Sequence, residues 1–233
     1  MHTVAIAVDP VQVIVSGIFD RPSDARGLYL LAHGAGAGMR HPFLADLSSA
    51  LSAIGIATLR YQFPYMELAR GRPDPPVVAT ATVRAAVEKA RELAPDLTLV
   101  AGGKSFGGRM TSTAAAESPL TGVEGIVFLG FPLHQPRSPA TARAEHLGRV
   151  TVPMLFLQGT RDEMAEIGLI RQVAAGLGSR ASLVEVAEAN HSFAVPKRTG
   201  KTSADLIRSL AASIRDFTSH LSSRPQPSDT RTR

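Results

Sequence analysis

Three side chains and two glycine-rich turns carry the chemistry that can be read from this sequence. Ser105 lies in Gly102-Gly103-Lys104-Ser105-Phe106-Gly107-Gly108, after the apolar run Leu97–Ala101 and before a helix predicted to start near Arg109. A serine in Gly-x-Ser-x-Gly at a sharp strand-to-helix turn is a nucleophile elbow: its backbone is strained, and small neighbours let strand and helix approach. The helix N-terminus behind it also favours developing negative charge. Such a serine needs a base and an acid to orient the base, expected in the order Ser, Asp or Glu, His. Asp162, in Gln158-Gly159-Thr160-Arg161-Asp162, follows the run Met154–Leu157 and sits at a strand end, with Glu163 as its neighbouring competitor. Its bland alternative is an N-cap for a helix starting at Met164. His191, in Ala189-Asn190-His191-Ser192-Phe193, follows the last apolar run, Leu183–Val186.

Of the seven histidines, His2 and His220 are near the ends, and His41 and His146 sit by helices. His134, in Phe131-Pro132-Leu133-His134, is the real competitor for the base, and chain order favours His191. No acid occurs between Phe131 and Ala144, so a triad acid one strand earlier has no candidate. His33-Gly34-Ala35-Gly36 ends an earlier strand, where a loop supplies one oxyanion donor and the residue after the nucleophile the other. The donors would be the N–H groups of Ala35 and Phe106. The chemistry implied is acyl transfer. His191 takes the Ser105 proton, Ser105 attacks a carbonyl, and Asp162 holds the imidazole tautomer.

Two rival motifs fail. Gly103-Lys104-Ser105 resembles the end of a phosphate-binding loop, but Thr98 stands where its first glycine is required. Gly34-Ala35-Gly36 opens a dinucleotide fingerprint, but its sixth position is Met39. No cofactor and no metal are expected.

These residues need elements to position them. Short apolar runs at Leu28–Ala32, Ile56–Leu59, Leu97–Ala101, Ile126–Leu129, Met154–Leu157 and Leu183–Val186 suit buried parallel strands. Val4–Val8 and Val11–Val15 suit an antiparallel pair turned at Asp9-Pro10. Helical spacing appears at Phe43–Ile54, Val77–Leu93, Arg109–Glu117, Met164–Leu177 and Ala204–Leu221. This alternation predicts an α/β fold with about eight strands, mostly parallel, and helices on both faces. Met66–Pro76 reads as a surface loop. Residues 1–221 are expected to form one domain, and 222–233, rich in Ser, Pro, Arg and Thr, a disordered tail.

Composition narrows the function. The 233 residues are 44% hydrophobic and 19% charged, as in a globular protein. The absence of cysteine excludes disulfides, thiolate metal sites and a cysteine nucleophile. A net charge of +5 comes from scattered arginines, with only four lysines, no basic run and 5% aromatics, so no nucleic-acid partner is expected. No apolar run reaches the ~18–20 residues of a membrane helix, and the start lacks the form of a signal peptide. A cytoplasmic protein without a membrane partner is expected. Nothing in the sequence speaks to oligomeric state.

The elbow, the His33 loop, Arg60-Tyr61-Gln62-Phe63-Pro64-Tyr65, Phe131-Pro132-Leu133-His134, Gln158–Asp162 and Asn190-His191-Ser192-Phe193 occur in one order over about Gly27 to Leu221. Together they resemble a small lid-less α/β-hydrolase family. It includes dienelactone-hydrolase-like bacterial enzymes and the group of testis-expressed protein 30 and non-specific-lethal complex subunit 3. Asn190 departs from the Asp that relatives often carry there. The resemblance implies an α/β-hydrolase fold without a large cap. About 20 residues separate Ile126–Leu129 from Met154–Leu157, where caps are usually inserted. Met39, Tyr61, Phe63, Tyr65, Phe106 and Leu133 are candidates to line an open site, with core packing as the alternative for at least half. Arg60, Arg70 and Arg72 lie near a loop that could bring an acidic substrate to the site.

The leading expectation is a serine hydrolase acting on a small-molecule carboxylic ester or thioester. The alternatives are an interaction module on the same fold, as some animal relatives are, and an acyltransferase that excludes water.

Overall fold

The computed structural model describes residues 1–223. Its eight strands form one sheet. In chain order they are β1 (His2–Val8), β2 (Val13–Asp20), β3 (Gly27–Ala32), β4 (Ile56–Tyr61), β5 (Thr98–Lys104), β6 (Val123–Leu129), β7 (Met154–Gly159) and β8 (Ala181–Val186). The spatial order is β1-β2-β4-β3-β5-β6-β7-β8. β1 pairs antiparallel with β2, and β2 antiparallel with β4; every later pairing is parallel. β3, β4 and β7 are buried along their whole length, which is why they read as continuous apolar runs: helices cover both faces of a parallel sheet. The edge strand β8 has no fully buried residue.

The helices are α1 (Pro42–Ser52), α2 (Pro64–Glu67), α3 (Pro76–Leu93), α4 (Phe106–Glu117), α5 (Ile167–Leu177) and α6 (Ser203–Ser222). α1 and α6 pack on one face, where Leu44, Leu47 and Leu51 meet Leu210 and Ile214 over Tyr29, Leu31 and Val127. The remaining helices cover the other face, with Val83, Ala86, Met110, Ala114 and Ile170 over Leu30, Ala101, Phe128 and Phe156. α6 starts at a capping box in which Thr202 and Asp205 satisfy each other's backbone N–H groups.

Four boundaries differ from the sequence reading. α4 starts at Phe106, so the glycine pair lies inside the helix rather than before it. α5 starts at Ile167 instead of Met164, with Glu166 as its N-cap. The short helix α2 takes in Met66 and Glu67, which were read as loop. α6 runs through Ser222, one residue into the expected tail; residues 224–233 of that stretch lie outside the described residues.

Candidate active site

β5 delivers Ser105 at the carboxyl edge of the sheet. Its backbone has φ 48° and ψ −112°, a left-handed conformation costly for any residue with a side chain. Glycine makes the turn feasible. Gly103 has φ +148°, and a Cβ there would run into the carbonyl oxygen of Ala32. A Cβ on Gly107 would stand 2.6 Å from His33 O, and one on Gly108 2.7 Å from Gly103 O. Only bare backbone lets α4 lie this close to β3 and β5.

The side chains separated in sequence converge here. Ser105 Oγ donates to His191 Nε2 at 2.9 Å. His191 Nδ1 lies 2.8 Å from Asp162 Oδ2 and 3.0 Å from Oδ1. An ionised carboxylate only accepts, so Nδ1 carries the proton and Nε2 is left free to accept the serine's. The Asp162 side chain is fully buried, and that of His191 keeps 14% exposure. Asp162 is itself held twice: its Oδ2 accepts from Gln158 Nε2 at 2.6 Å and its Oδ1 from the Met164 N–H at 2.8 Å. Gln158 in turn accepts from the Phe131 N–H at 2.9 Å, tying the turns after β6 and β7 together.

The competitors fall away. Glu163 is exposed. Both ring nitrogens of His134 are engaged elsewhere: Nε2 accepts from the Glu166 N–H at 2.9 Å and Nδ1 donates to Gln135 O at 2.7 Å. The helix-cap reading of Asp162 fails because α5 begins later; its carboxylate stabilises a local turn instead. Asn190 folds the loop that carries His191, its Oδ1 accepting from the N–H groups of Ser192 (3.0 Å) and Ala194 (2.9 Å). The departure at this position is therefore compatible with a formed site.

The His33 loop lies against the elbow: a Cβ on Gly34 would be 3.8 Å from Ser105 Cβ. His33 is fully buried, its Nε2 accepting from the Phe63 N–H (3.1 Å) and its Nδ1 donating to Gly34 O (2.8 Å). Burial pushes its imidazole down to about 4, so it is neutral, as those two bonds require. The Tyr65 hydroxyl accepts from the Gly36 N–H at 2.9 Å. Tyr65 is anchored in turn by its own N–H on Asp74 Oδ2 at 3.0 Å. Ala35 and Phe106 N–H groups, the expected oxyanion donors, have no hydrogen-bond partner among the described residues.

A cleft of roughly 300 Å³ opens at Ser105 and His191, lined by Ala35, Ala37, Phe43, Leu44 and Met164, with His41 and Ser192. Its mostly apolar wall differs from the expected one. Met39, Tyr61, Phe63, Tyr65 and Leu133 are all core residues; Phe63 and Tyr65 pack edge-on against Phe106 beneath the site. Gln158 and Lys104 were missed as site residues, and Tyr65, a candidate for the cleft wall, instead braces the His33 loop. All three lay within quoted motifs, but nothing local shows which groups they reach. Among the described residues no cluster of His, Asp and Glu is placed to hold a metal ion.

An eight-stranded, mostly parallel sheet bearing an elbow serine, with a histidine and an acid on later turns, defines the α/β-hydrolase class without a large cap. The sequence pattern of the α/β hydrolase domain matches residues 25–219, and the chain belongs to that family. Among solved structures, the dienelactone hydrolase of Anabaena variabilis is 21% identical, with 94% of this chain and 96% of that one covered and a TM-score of 0.73. An α/β serine hydrolase without a lid from Xanthomonas campestris is also 21% identical, covering 93% and 94% with a TM-score of 0.71. An α/β serine hydrolase homologue from Coxiella burnetii is 20% identical, covering 93% and 97% at the same TM-score. The comparisons resolve the family and not the testis-expressed protein 30 subgroup.

Proposed function

We propose that this hydrolase cleaves a small carboxylic ester or thioester through an acyl-enzyme on Ser105. The observation that carries the reading is the unbroken Ser105–His191–Asp162 relay at 2.9 and 2.8 Å. As Ser105 Oγ bonds to the substrate carbonyl carbon, its proton passes to His191 Nε2. Asp162 stabilises the imidazolium and fixes its orientation. The carbonyl oxygen, now negative, is held by the N–H groups of Ala35 and Phe106. His191 then returns the proton to the leaving alcohol or thiol as the carbon–oxygen or carbon–sulfur bond breaks. Water adds to the acyl-enzyme by the same steps in reverse and frees Ser105.

Hydrolysis is favoured over transfer to an alcohol because the cleft is open and His191 keeps solvent contact, so water reaches the acyl-enzyme. An interaction module has no use for a strained serine aimed at a histidine held by a buried carboxylate. The reading takes residues 1–221 as one unit in the cytoplasm, with a small-molecule partner, no cofactor and neither nucleic acid nor membrane. Among the described residues no helix is long and apolar enough to cross a membrane.

The decisive experiment is fluorophosphonate labelling with peptide mapping, alongside turnover of p-nitrophenyl butyrate. A single adduct on Ser105 is expected. Ser105→Ala should fold normally, take no label and lose turnover by about 10⁶-fold. A folded protein that takes no label, or a Ser105→Ala variant with parental activity, would overturn the assignment.

A further inference from the structure

One buried charge beside the site has no part in the chemistry so far. Lys104 is the last residue of β5, immediately before Ser105. Its Nζ is buried and makes no hydrogen bond among the described residues. A buried ammonium without a hydrogen-bond partner is destabilising. Its surroundings are specific. The point where Gly130 would carry a Cβ lies 3.3 Å from Lys104 Nζ, 3.4 Å from Asp162 Oδ2 and 3.5 Å from His191 Nδ1. The three groups thus surround one glycine, with no side chain between them. Nζ also stands 5.6 Å from the centre of the Phe193 ring, within cation–π range. Phe193 is two residues past His191, takes φ 60° and stacks on Phe43 at 5.6 Å.

Lys104 lines the cleft, but its Nζ has no solvent-exposed surface. The ammonium therefore does not meet substrate and acts through its neighbours. The charged and titratable groups around the His191 ring are few. Asp162 and Glu163 come from the turn after β7 and Lys104 from β5. Ser105 and His41 share the cleft; the turn after β6 brings Gly130 against the ring and also carries His134, whose ring nitrogens bond to the Glu166 N–H and Gln135 O. Burial pushes Lys104 down to about 8, and the charges of Asp162 and Glu163 keep it from falling further. That coupling is reciprocal: the carboxylate that favours the ammonium is itself offset by it.

We propose that Lys104 is a positioning residue of the triad, its unpaired ammonium offsetting part of the Asp162 charge at His191 while its contact with Phe193 holds the His191 loop against β5. This rests on the serine-hydrolase reading. The sign follows from charge. A cation nearby disfavours the imidazolium, so the ring stays free to accept the Ser105 proton at lower pH. Removing the cation lets the ring protonate at higher pH. Groups a few ångströms apart in a partly buried setting couple by on the order of one pH unit.

The test compares Lys104→Met, Lys104→Gln and Lys104→Arg with the parent. On p-nitrophenyl butyrate, the acid limb of kcat/KM should move up by about one pH unit in the two neutral variants and stay in place in Lys104→Arg. A packing role alone would lower activity equally at every pH. Lys104→Met should fold, because an apolar side chain of similar length fills the same space without a buried charge. If it fails to fold, the polar Lys104→Gln carries the comparison, and failure of both to fold would overturn the proposal by making the charge structural. Titration of the His191 ring by NMR, assigned with His191→Ala, reads the coupling without turnover. An unchanged midpoint in the neutral variants overturns the role of Lys104, even if fluorophosphonate labels Ser105. A moved midpoint with no label supports the coupling and sinks the hydrolase reading alone.

Discussion

Tyr65 illustrates how a residue can matter to chemistry it never touches. Its hydroxyl accepts from the Gly36 N–H, and its own N–H is fastened to Asp74. Gly36 follows Ala35 and has φ +72°, and a Cβ there would meet nothing within 4 Å. The hydrogen bond to Tyr65 restrains the loop that presents the Ala35 N–H, together with the turn bond from the Ala37 N–H to Gly34 O at 3.2 Å. Tyr65→Phe keeps the buried ring and removes the restraint. It should lower kcat on p-nitrophenyl butyrate by about 10-fold, less than the 10²–10³ of losing a donor outright, with KM and melting temperature little changed. Unaltered kcat would mean the loop is held without Tyr65. At this scale Ser105, Asp162 and His191 were legible, because each closes a strand in a fixed chain order. The supporting roles were not: Gln158, Tyr65 and Lys104 have partners 4 to 89 positions away.

Among the elements, α4 shows packing overriding local preference. Phe106-Gly107-Gly108 is a poor opening for a helix, and the sequence placed the start at Arg109. The helix begins earlier because the two glycines let its first turn rest directly on β3 and β5. Gly107→Ala would set a Cβ 2.6 Å from both His33 O and Ala32 Cβ. Rigid backbone stands on that side, so α4 must move. The variant should lose about 1–3 kcal/mol of stability and most Ser105 labelling, read by urea unfolding and fluorophosphonate. Gly176→Ala in α5 is the control: it meets nothing within 4 Å and should gain about 0.5–1 kcal/mol. If both behave alike, the close approach at the elbow is not what the glycine serves. The start of α5 was misplaced for a different reason. Met164 and Glu166 give their N–H groups to Asp162 and His134, so the chain completes a turn before the helix begins.

The whole molecule buries ionisable groups that its acid stability must reflect. His33 is held neutral in the core, its imidazole pushed down to about 4 by burial. His146 is shifted the same way, by burial and by the charges of Arg109 and Arg149. Once unfolded, each histidine takes up a proton near pH 6.5, whereas the folded protein resists until about pH 4. Between these values the unfolded state binds more protons, so stability rises with pH and is lost as pH falls. His33 alone should remove about 2 kcal/mol between pH 7 and pH 5. Urea midpoints across that window measure it. A flat profile would mean that His33 is charged or exposed in the folded state.

The sequence by itself determined the strand order, the order of the longer helices, the antiparallel first pair and Ser105, Asp162 and His191 as the side chains that would meet. These depend on local facts: apolar runs report burial on both faces, and glycine reports a turn no side chain could make. Tertiary structure decided the rest. It made the aromatic residues from Tyr61 to Tyr65 core instead of cleft, because β4 is covered on both faces and α2 turns Tyr65 inward. It also chose between His134 and His191. The two have the same chemistry, and only their surroundings differ: one ring is consumed by backbone groups, while the other is left between a serine and a carboxylate.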